Sequence, residues 1–396
     1  MFDRVQAAPP DAILGLSEAF QADSNPAKIN LAVGQYKDAN GATPILECVK
    51  QAEERLIKTE SSKGYLGIVG HADYRQHVPG LLLGADHPFI AADRISTLQT
   101  PGGTGALRVA ADFLHTALPD STVWLSDPTW PNHPNIFAAA GVPTSTYEYY
   151  DAENFALNSE AMMASLAKIP AGDVVLLHGC CHNPSGVDLQ PEHWQEVAKI
   201  VKDRGLIPLV DFAYQGFGDG IEEDAGGLRT LCESAENMIV CSSFSKNFGL
   251  YCERIGAMSL ISGSAKTTAA ITSRAKKCVR ANYSNPPAHG AAIVASVLGD
   301  KDLTAKWHEE LAEMRNRING LRQSFADEMK RLESPRSFAF ITRQRGMFSF
   351  SGLTADQVAK LKAEHSIYVV NSGRINVAGM TDANLKDVCA AVRSVI

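Results

Sequence analysis

The sequence predicts an α/β protein of two domains, the larger of which is built around a mostly parallel sheet. Its 396 residues exceed the roughly 250 to 300 at which a single hydrophobic core stops growing. From about residue 98, short Val, Ile and Leu runs alternate with helical stretches. Near-continuous apolar strands separated by helices are typical of a parallel sheet that is covered on both faces.

Five apolar runs are the predicted strands of this sheet. Each is short, rich in Val, Ile or Leu, and bounded by polar or turn residues. They cover residues 122–127, 173–179, 205–212, 237–244 and 254–261. Because ligands of open parallel sheets bind outside the carboxyl ends of the strands, polar residues directly after these runs are the first candidates for a site.

The patterns at both ends of the chain predict helices and short extended pieces. Residues 1–10 are expected to form an extended arm, followed by a helix over 11–22 with Asp11 as its candidate cap. Further predicted elements are a strand or extended piece over 29–36, a helix over 44–60, a long helix over 304–332 and, beyond it, strand and helix patterns that end in a closing helix.

Composition and charge argue against several function classes. The 37 basic and 44 acidic residues give a net charge of -7 and a pI near 5.9, which disfavours nucleic acid or an anionic membrane as the main partner. No apolar run reaches the roughly 18 residues of a membrane span, and the start of the chain does not resemble a signal peptide. The eight cysteines include no C-x-x-C pair, so we expect free thiols and a cytoplasmic protein.

A lysine just after a predicted strand is the first candidate for catalysis. Lys246 follows the run 237–244, with Ser243 and Ser245 beside it and Arg254 eight positions on. A lone lysine in such a place is more often a surface residue. Here hydroxyls and a guanidinium that can anchor a phosphate accompany an amine that can form a Schiff base with an aldehyde. The string Ser-x-Ser-Lys with Arg254 resembles the signature of class I and II aminotransferases, and this resemblance implies a cofactor that carries both a phosphate and an aldehyde.

Two further strand ends carry polar residues. Asp211 ends the run 205–212, with Tyr214 three residues later, and Asn183 follows the run 173–179. A buried carboxylate has to be paired. If it faced a pyridine nitrogen, it would keep that nitrogen protonated, and the ring could then take up electrons. Read alone, Asp211 could equally be a helix cap or a loop acid.

The loop that holds Asn183 also contains a candidate metal site. Its potential ligands are His178, Cys180, Cys181 and His182. Their spacing matches no zinc pattern, and adjacent side chains at a strand end point to opposite faces. We therefore expect no metal.

A glycine turn before a helix is the fourth candidate site. In LQTPGGTGALRVAADFLH, Gly103 and Thr104 open the helical stretch, where backbone N–H groups and the helix dipole favour an anion. The turn lacks both the dinucleotide spacing G-x-G-x-x-G and the Walker lysine. Together with Ser243 and Arg254, this turn predicts a phosphate-binding site. A nicotinamide cofactor is not required to explain it.

The four sites together resemble a known family, the class I pyridoxal-phosphate-dependent aminotransferases. The resemblance lies in the order and spacing of Lys246, Asp211, Tyr214, Asn183 and the glycine turn, and it covers nearly the whole chain. The strings KGYLGI, WPNHPNIF, NYSNPPAHGA, GMFSFSG and SGRINVAGM are similar to segments of the bacterial aspartate and aromatic aminotransferases of subgroup I alpha. This resemblance implies pyridoxal 5'-phosphate as cofactor and ping-pong transamination through a Schiff base on Lys246.

The resemblance also implies a fold and an assembly. The fold is the type I fold of pyridoxal-phosphate enzymes, with a seven-stranded large domain and a small domain made from both chain ends. We expect residues 44–313 to form the large domain, and residues 11–43 with 314–396 to form the small one. The enzyme is expected to be a homodimer with active sites at the subunit interface.

The cofactor contacts carried over from the family extend beyond the strand ends. Trp130 is expected to stack on the cofactor ring, and Tyr65 to reach the phosphate of the other subunit. Tyr214 and Asn183 are expected at the phenolic oxygen, and His133 as a partner of Asp211. By itself, a histidine in a loop is more often structural.

The substrate contacts implied by the family are Gly34, Trp130 and Asn183, together with two arginines. Arg374 matches the residue that binds the α-carboxylate, and Arg280 the one that reaches across the dimer to a distal carboxylate. Arginine suits both roles because its planar guanidinium pairs with two carboxylate oxygens. Without the resemblance, either arginine would be taken for a surface residue.

L-Aspartate and 2-oxoglutarate are the expected substrates, giving oxaloacetate and L-glutamate. Lys37 and Thr43 resemble the aspartate branch, whereas Gln35 stands where an aliphatic residue is expected. Arg280 does not separate the branches, because aromatic aminotransferases of the subgroup also retain it. An aromatic amino acid aminotransferase acting on tyrosine and phenylalanine is therefore the alternative.

Two proteins of other classes are further alternatives. A nicotinamide oxidoreductase would use the glycine turn for pyrophosphate but would leave Lys246 and Asp211 without a role. A binding protein would keep the fold and lose turnover, which the complete set of catalytic residues argues against.

Overall fold

The chain divides into two compact units. The computed structural model describes residues 2–7 and 14–396. One unit comprises residues 1–43 and 317–396, and the other comprises residues 44–316. The predicted cap Asp11 lies outside the described residues. The expected arm is described only over residues 2–7, where Phe2–Arg4 form a 3-10 helix and not an extended segment.

Over the described residues, the chain forms fifteen α-helices and thirteen strands. The helices are α1 (Leu14–Ala22), α2 (Glu47–Thr59), α3 (Ala72–Leu83), α4 (Pro88–Ala91), α5 (Gly102–Ala117), α6 (Asn132–Ala139), α7 (Ser159–Leu166), α8 (Pro191–Arg204), α9 (Ile221–Asp224), α10 (Gly226–Ser234), α11 (Ala265–Asn282), α12 (His289–Leu298), α13 (Lys301–Arg331), α14 (Ala355–His365) and α15 (Leu385–Val395). The strands are β1 (Ile29–Asn30), β2 (Ile95–Pro101), β3 (Val123–Asp127), β4 (Thr144–Glu148), β5 (Tyr150–Asp151), β6 (Ala156–Leu157), β7 (Val174–His178), β8 (Ile207–Phe212), β9 (Met238–Ser243), β10 (Ile255–Ile261), β11 (Phe348–Phe350), β12 (Ile367–Tyr368) and β13 (Arg374–Asn376).

A seven-stranded sheet forms the centre of the 44–316 unit. Its strand order is β2-β10-β9-β8-β7-β3-β4. Strand β10 is antiparallel to both β2 and β9, and the other neighbours are parallel. Every residue of β9 and β10 is buried, as strands covered on both faces require. The predicted α/β class with a mostly parallel sheet is confirmed.

Helix α5 covers part of this sheet with an apolar face. Its Leu107, Ala110 and Leu114 recur at helical spacing and are buried in one cluster with Leu209 of β8 and Met258 of β10. Because α5 follows β2 directly, this packing fixes the first turn of the helix at the end of that strand.

The five predicted strands are present as β3, β7, β8, β9 and β10, each within its predicted run. Strands β2 and β4 were not among the predicted strands. The helix expected over 44–60 begins only at Glu47, and the long helix begins earlier than expected, at Lys301. The piece expected over 29–36 is a strand only at β1.

The unit of residues 1–43 and 317–396 contains two small sheets. Strand β1 pairs parallel with β12, and β11 pairs antiparallel with β13. Arg322 of α13, which is 1% exposed, donates to the carbonyl oxygens of Gly346 and Phe348 at 2.6 and 2.9 Å and also contacts Ser349 Oγ. One buried guanidinium therefore fixes the chain that forms β11.

The cysteines form no disulfides, and the described helices do not meet the requirements of a membrane span. All eight cysteines are free thiols, and seven of them are buried. The predicted free thiols are therefore confirmed. Among residues 2–7 and 14–396, none of the helices combines the length and the hydropathy that crossing a bilayer requires.

Candidate active site

The predicted site residues of the 44–316 unit come from adjacent strand ends. Strands β7, β8 and β9 are parallel neighbours, so their carboxyl ends lie along one edge of the sheet. His178 pairs with Asp211, and Asp211 pairs with Cys241, two residues before Ser243. Strand β10 runs in the opposite direction, so Gly256 near its start pairs with Ser243. The edge therefore collects residues from five strands, including the end of β2.

Glycines allow the turn before α5 to approach β10 closely. Gly102 has a φ of +76°, and a Cβ there would lie 2.4 Å from Arg254 Nη2. A Cβ on Gly256 would lie 2.4 Å from the carbonyl carbon of Gly102. A Cβ on Gly103 would lie 3.0 Å from Ser243 Cβ. The close packing of this turn therefore depends on residues without side chains.

Hydroxyl and guanidinium groups surround the first turn of α5. Arg254 Nη1 donates to Ser245 Oγ at 3.3 Å and to the Tyr251 carbonyl oxygen at 3.0 Å. Ser243 and Ser245 are buried, and Thr104 is exposed in the first turn of the helix. That turn contains no acidic residue. Helix N–H groups, hydroxyls and a guanidinium together can bind an anion such as a phosphate.

Lys246 lies in a tight turn after β9. The Gly249 N–H donates to the Lys246 carbonyl oxygen at 3.0 Å, and Lys246 Nζ lies 4.5 Å from the centre of the Tyr214 ring. Burial of the amine lowers the pKa of Lys246 to about 8, with Asp211 opposing and Arg254 adding to this effect. Part of the amine is therefore uncharged and nucleophilic near neutral pH.

Asp211 is buried beside a histidine that is itself held on its other side. Asp211 Oδ2 lies 3.0 Å from His133 Nε2, and His133 Nδ1 lies 2.7 Å from Thr129 Oγ1. Burial acts to raise the pKa of Asp211, but the hydrogen bond with His133 and the nearby Lys246 amine outweigh it and lower that pKa. The carboxylate therefore stays ionised and can hold a cationic ring nitrogen.

Two more histidines, the half-buried His178 and the buried His182, adjoin this pair. The His178 ring centre lies 5.3 Å from that of His133 and 4.3 Å from that of His182. Burial lowers the pKa of His178 to about 3, so its ring is neutral. His182 is hydrogen-bonded to Ser126 at 3.0 Å and to Ser185 at 2.7 Å. From the sequence, both histidines were considered only as candidate metal ligands. The signal that could have placed them beside Asp211 was their position, since His178 ends β7 and His182 lies in the loop after it.

Trp130, Asn183 and Tyr214 lie in the loops after β3, β7 and β8. Trp130 is half-buried, and its ring stands edge-on to His133 with 5.3 Å between ring centres. Asn183 and Tyr214 are buried. The loops after three neighbouring parallel strands therefore bring these side chains to the same edge as Asp211.

Two predicted site residues lie on the surface of the same unit. Tyr65 is 94% exposed. Arg280, in the last turn of α11, is also exposed, and its guanidinium contacts Ser284 Oγ. Over the described parts of the chain, neither side chain is hydrogen-bonded to, or ring-stacked on, the strand-end residues. The single chain therefore does not bring them to Lys246.

Gly34 and Arg374 lie together in the unit of residues 1–43 and 317–396. Arg374 is 3% exposed, so its interpretation as a surface arginine is wrong. Its Nη2 donates to the Ala32 carbonyl oxygen at 2.8 Å, and its guanidinium carbon lies 4.0 Å from the centre of the Phe348 ring. A Cβ on Gly34 would lie 2.6 Å from Phe348 Cζ, so Gly34 leaves room for the same ring. Phe348 was not predicted as a site residue.

The backbone beside Gly34 is fixed by one side chain. Asn376 Nδ2 donates to the carbonyl oxygens of Val33 and Gln35 at 2.6 and 2.9 Å. Gln35, the departure from the aspartate pattern, is half-buried. Its main chain is therefore held in place whatever its side chain contacts.

Two groups of candidate metal ligands occur among the described residues. They are His133 with His178 and Asp211, and Cys180 with Cys181 and Asp224. The Asp224 oxygens accept hydrogen bonds from the backbone N–H groups of Gly216, Gly218, Asp219 and Gly220. Those oxygens already face four donors, which is a poor arrangement for a cation. The set considered from the sequence, in which His178 and His182 join the two cysteines, is not one of these groups.

A family model for aminotransferase class I and II matches residues 26–392. The chain belongs to this family. The aspartate aminotransferase of Salmonella typhi is 52% identical over 396 residues, and that of Escherichia coli (strain K12) is 50% identical over 396 residues; both alignments cover 100% of each chain. The predicted family is confirmed, and the nicotinamide oxidoreductase alternative is wrong.

The solved structures agree with this assignment. One is the aromatic-amino-acid aminotransferase from Burkholderia pseudomallei, covalently bound to pyridoxal phosphate. It has a TM-score of 0.97 to this chain at 48% identity, and the match covers 100% of this chain and 99% of that one. With the seven-stranded, mostly parallel sheet, this likeness confirms the predicted type I fold.

Proposed function

We propose that this aminotransferase transfers the amino group of L-aspartate to 2-oxoglutarate, giving oxaloacetate and L-glutamate. Relatives at 52% and 50% identity that are named aspartate aminotransferases support this assignment. The structural observation that carries it is the Lys246 amine, whose pKa is lowered by partial burial, at the same sheet edge as the buried and ionised Asp211 carboxylate. The aromatic relative at 48% identity keeps tyrosine and phenylalanine as alternative substrates.

The sheet edge fits pyridoxal 5'-phosphate as the cofactor. The donors at the start of α5 suit its phosphate, the Lys246 amine suits its aldehyde, and the Asp211 carboxylate suits its ring nitrogen. When bound, this cofactor accepts the electrons that a substrate releases at its α-carbon. The full set that we assign to it is Lys246, Asp211, Tyr214, Asn183, Gly103, Thr104, Ser243, Ser245, Arg254, Trp130, Tyr65 and His133.

Lys246 serves in this proposal first as covalent anchor and then as proton carrier. With the cofactor bound, the Lys246 amine would hold its aldehyde and would then take the proton from the substrate α-carbon. A pKa of about 8 suits this role, because a base works best when its pKa is near the working pH. Asp211 keeps the cofactor ring nitrogen protonated, while His133 and Thr129 hold the carboxylate in place.

Two arginines recognise the substrate carboxylates in this proposal. Arg374, held between the Ala32 carbonyl oxygen and the Phe348 ring, binds the α-carboxylate. Arg280 binds the distal carboxylate in the site of a second subunit, where its exposed guanidinium can reach outside its own chain. Gly34, Trp130 and Asn183 complete the substrate contacts.

The proposed assembly is a homodimer with shared active sites. Tyr65 is 94% exposed and Ile57 is 82% exposed, and exposed apolar side chains of this size suit burial at an interface. Tyr65 then contacts the phosphate bound by the partner. Within each subunit, residues 44–313 serve as the cofactor-binding domain, and residues 11–43 with 314–396 as the small domain. The cytoplasm is the proposed location, because free thiols persist in a reducing compartment.

A donor comparison tests this function. The protein loaded with pyridoxal phosphate is assayed with aspartate, tyrosine and phenylalanine, each with 2-oxoglutarate as acceptor. We expect kcat/KM for aspartate to exceed that for either aromatic donor by about tenfold or more, because only aspartate offers a second carboxylate to Arg280. Equal or reversed values would favour the aromatic alternative. A lack of amino transfer from all three donors would revive the binding-protein alternative.

A further inference from the structure

Asn247, the residue after Lys246, connects two turns of the sheet edge. Its Nδ2 donates to the carbonyl oxygen of Gln215 at 3.2 Å, and both groups are buried. Gln215 follows Tyr214 directly, just as Asn247 follows Lys246. One side chain therefore connects the turn that carries the lysine with the turn that carries the tyrosine.

Both turns are also fixed to the rest of the 44–316 unit. Trp307 Nε1 donates to the Asn247 carbonyl oxygen at 2.7 Å. The Trp307 ring is fully buried and stacks on Phe248, with 4.3 Å between ring centres. Gln215 Nε2 donates to the Leu81 carbonyl oxygen at 3.0 Å. Neither turn can shift without loss of a buried hydrogen bond, which is unfavourable.

The distance controlled by this link is that between the Lys246 amine and the Tyr214 ring, which is 4.5 Å. Each residue lies at the start of a hydrogen-bonded turn. Gly249 N donates to the Lys246 carbonyl oxygen at 3.0 Å, and Phe217 N donates to the Tyr214 carbonyl oxygen at 2.9 Å. A closed turn moves as one piece, so a shift between the two turns displaces the amine relative to the ring.

We propose that Asn247 is a positioning residue, which holds the Lys246 amine over the Tyr214 ring and away from water. The amide is 1% exposed and acts through the main chain of the two turns. Its importance for turnover rests on the role proposed for Lys246. A purely structural amide would contribute to stability and leave the surroundings of the amine unchanged.

The first test is the pH dependence of Lys246 acylation in the full-length, cofactor-free protein. Acetic anhydride is the reagent, and mass spectrometry follows the Lys246 peptide. The midpoint for the wild type is expected near the pKa of about 8, with faster labelling above it because only the neutral amine reacts. In Asn247→Ala, water that enters the loosened turn stabilises the charged amine. The midpoint should therefore rise by about one pH unit.

The second test separates kcat from KM in the cofactor-loaded enzyme. Asn247→Ala should lower kcat by about tenfold, because a displaced proton carrier is costly. KM should stay within about twofold of the wild type, because Asn247 binds no substrate. Trp307→Phe removes the hydrogen bond to the Asn247 carbonyl oxygen but keeps a ring against Phe248. It should raise the acylation midpoint and lower kcat, as Asn247→Ala does, but by smaller amounts.

Thr97→Val is the matched control. Thr97 Oγ1 and Ser259 Oγ lie 2.7 Å apart in the buried part of the same unit, so this variant also loses one buried hydrogen bond. It should lower the melting temperature but leave the acylation midpoint unchanged.

The positioning role is overturned if Asn247→Ala matches Thr97→Val in both midpoint and kcat. If Asn247→Ala does not fold, Trp307→Phe decides the question by the same two measurements. The midpoint requires no turnover. It therefore reports on Asn247 even if the wild type fails to transaminate aspartate, and failure of the proposed function is then distinguishable from failure of the positioning role.

Discussion

Two cations, one in each unit, lie against aromatic rings but are stabilised in different ways. Lys246 in the 44–316 unit lies 4.5 Å from the centre of the Tyr214 ring, and burial lowers its pKa to about 8. Arg374 in the other unit lies 4.0 Å from the centre of the Phe348 ring and donates to the Ala32 carbonyl oxygen. Of the two side chains, only the lysine is partly deprotonated as a result of its surroundings.

The difference follows from the chemistry of the two groups. A buried amine can release a proton, and it is then a nucleophile and a base. A guanidinium remains charged in proteins, so it has to be supplied with acceptors or with the face of a ring. Arg322, also buried, follows the same rule with the carbonyl oxygens of Gly346 and Phe348. In the function proposed above, burial would thus suit Lys246 for chemistry and Arg374 for recognition of a carboxylate.

The largest expected effect on amino transfer comes from replacing the lysine amine at position 246 by the guanidinium of an arginine. Lys246→Arg keeps a positive charge in the same turn but cannot lose its proton at working pH. Amino transfer from aspartate should fall by a factor on the order of 10⁴ or more, as in Lys246→Ala. Single-turnover assays with the cofactor-loaded variants measure this. Substantial activity in the arginine variant alone would show that positive charge, and not a neutral amine, is what the site requires.

Arg280→Ala should have the next largest effect, and it should depend on the donor. Leaving a substrate carboxylate without its charged partner costs about 2 to 5 kcal/mol, a factor of tens to thousands. The kcat/KM for aspartate should fall by such a factor, and that for phenylalanine much less, because phenylalanine has no distal charge. Steady-state assays with both donors measure the ratio. An equal loss for both would make Arg280 a structural residue.

Hybrid dimers test whether this exposed arginine acts in a neighbouring site. Lys246→Ala subunits, which should be inactive, are mixed with Arg280→Ala subunits, whose activity with aspartate should be strongly reduced. If Arg280 serves the partner, each hybrid has one site with both residues intact, and aspartate activity reappears. Properly formed hybrids that stay inactive would place Arg280 in the site of its own subunit.

The sequence predicts the sheet where its strands are apolar and fails where they are not. Strands β8 and β9 begin with apolar runs, over residues 207–210 and 238–241, and were predicted. Strand β2 contains the buried polar residues Thr97, Gln99 and Thr100, so its composition does not indicate a buried strand. Their burial is made favourable by partners distant in sequence, such as the hydrogen bond from Gln99 Nε2 to the Pro287 carbonyl oxygen. Such partners cannot be read from local pattern.

The same limit applies to the site. Lys246 and Asp211 were predicted because each directly follows or ends an apolar run, which is a local signal. Phe348 and Asn247 were not predicted as site residues, because their roles depend on contacts with Arg374 and Gln215 that only the fold creates. Lys246 and Asp211 could thus be found from local sequence patterns. Phe348 and Asn247 could be found only from contacts between residues that are distant in the sequence.

The smallest expected effect tests the ring that lies on Arg374. Phe348→Leu keeps an apolar side chain but removes the face that stabilises the guanidinium, a contribution of about 0.5 to 2 kcal/mol. If Arg374 binds the α-carboxylate, KM should rise by about twofold to thirtyfold while kcat changes less. Aspartate and phenylalanine should be affected equally, because they share the α-carboxylate. This pattern is the opposite of the one expected for Arg280→Ala.

A second phenylalanine of the same unit provides the control for this change. Phe340 is 6% exposed, and its ring lies 5.8 Å from that of Phe338. Phe340→Leu should therefore cost stability, measured by thermal unfolding, without raising KM for either donor. If both variants raise KM alike, the effect comes from a loosened unit, and the ring on Arg374 has no part in recognition. If Phe348→Leu alone raises KM, and equally for both donors, then the aromatic face that keeps this guanidinium charged and buried also sets its affinity for the carboxylate.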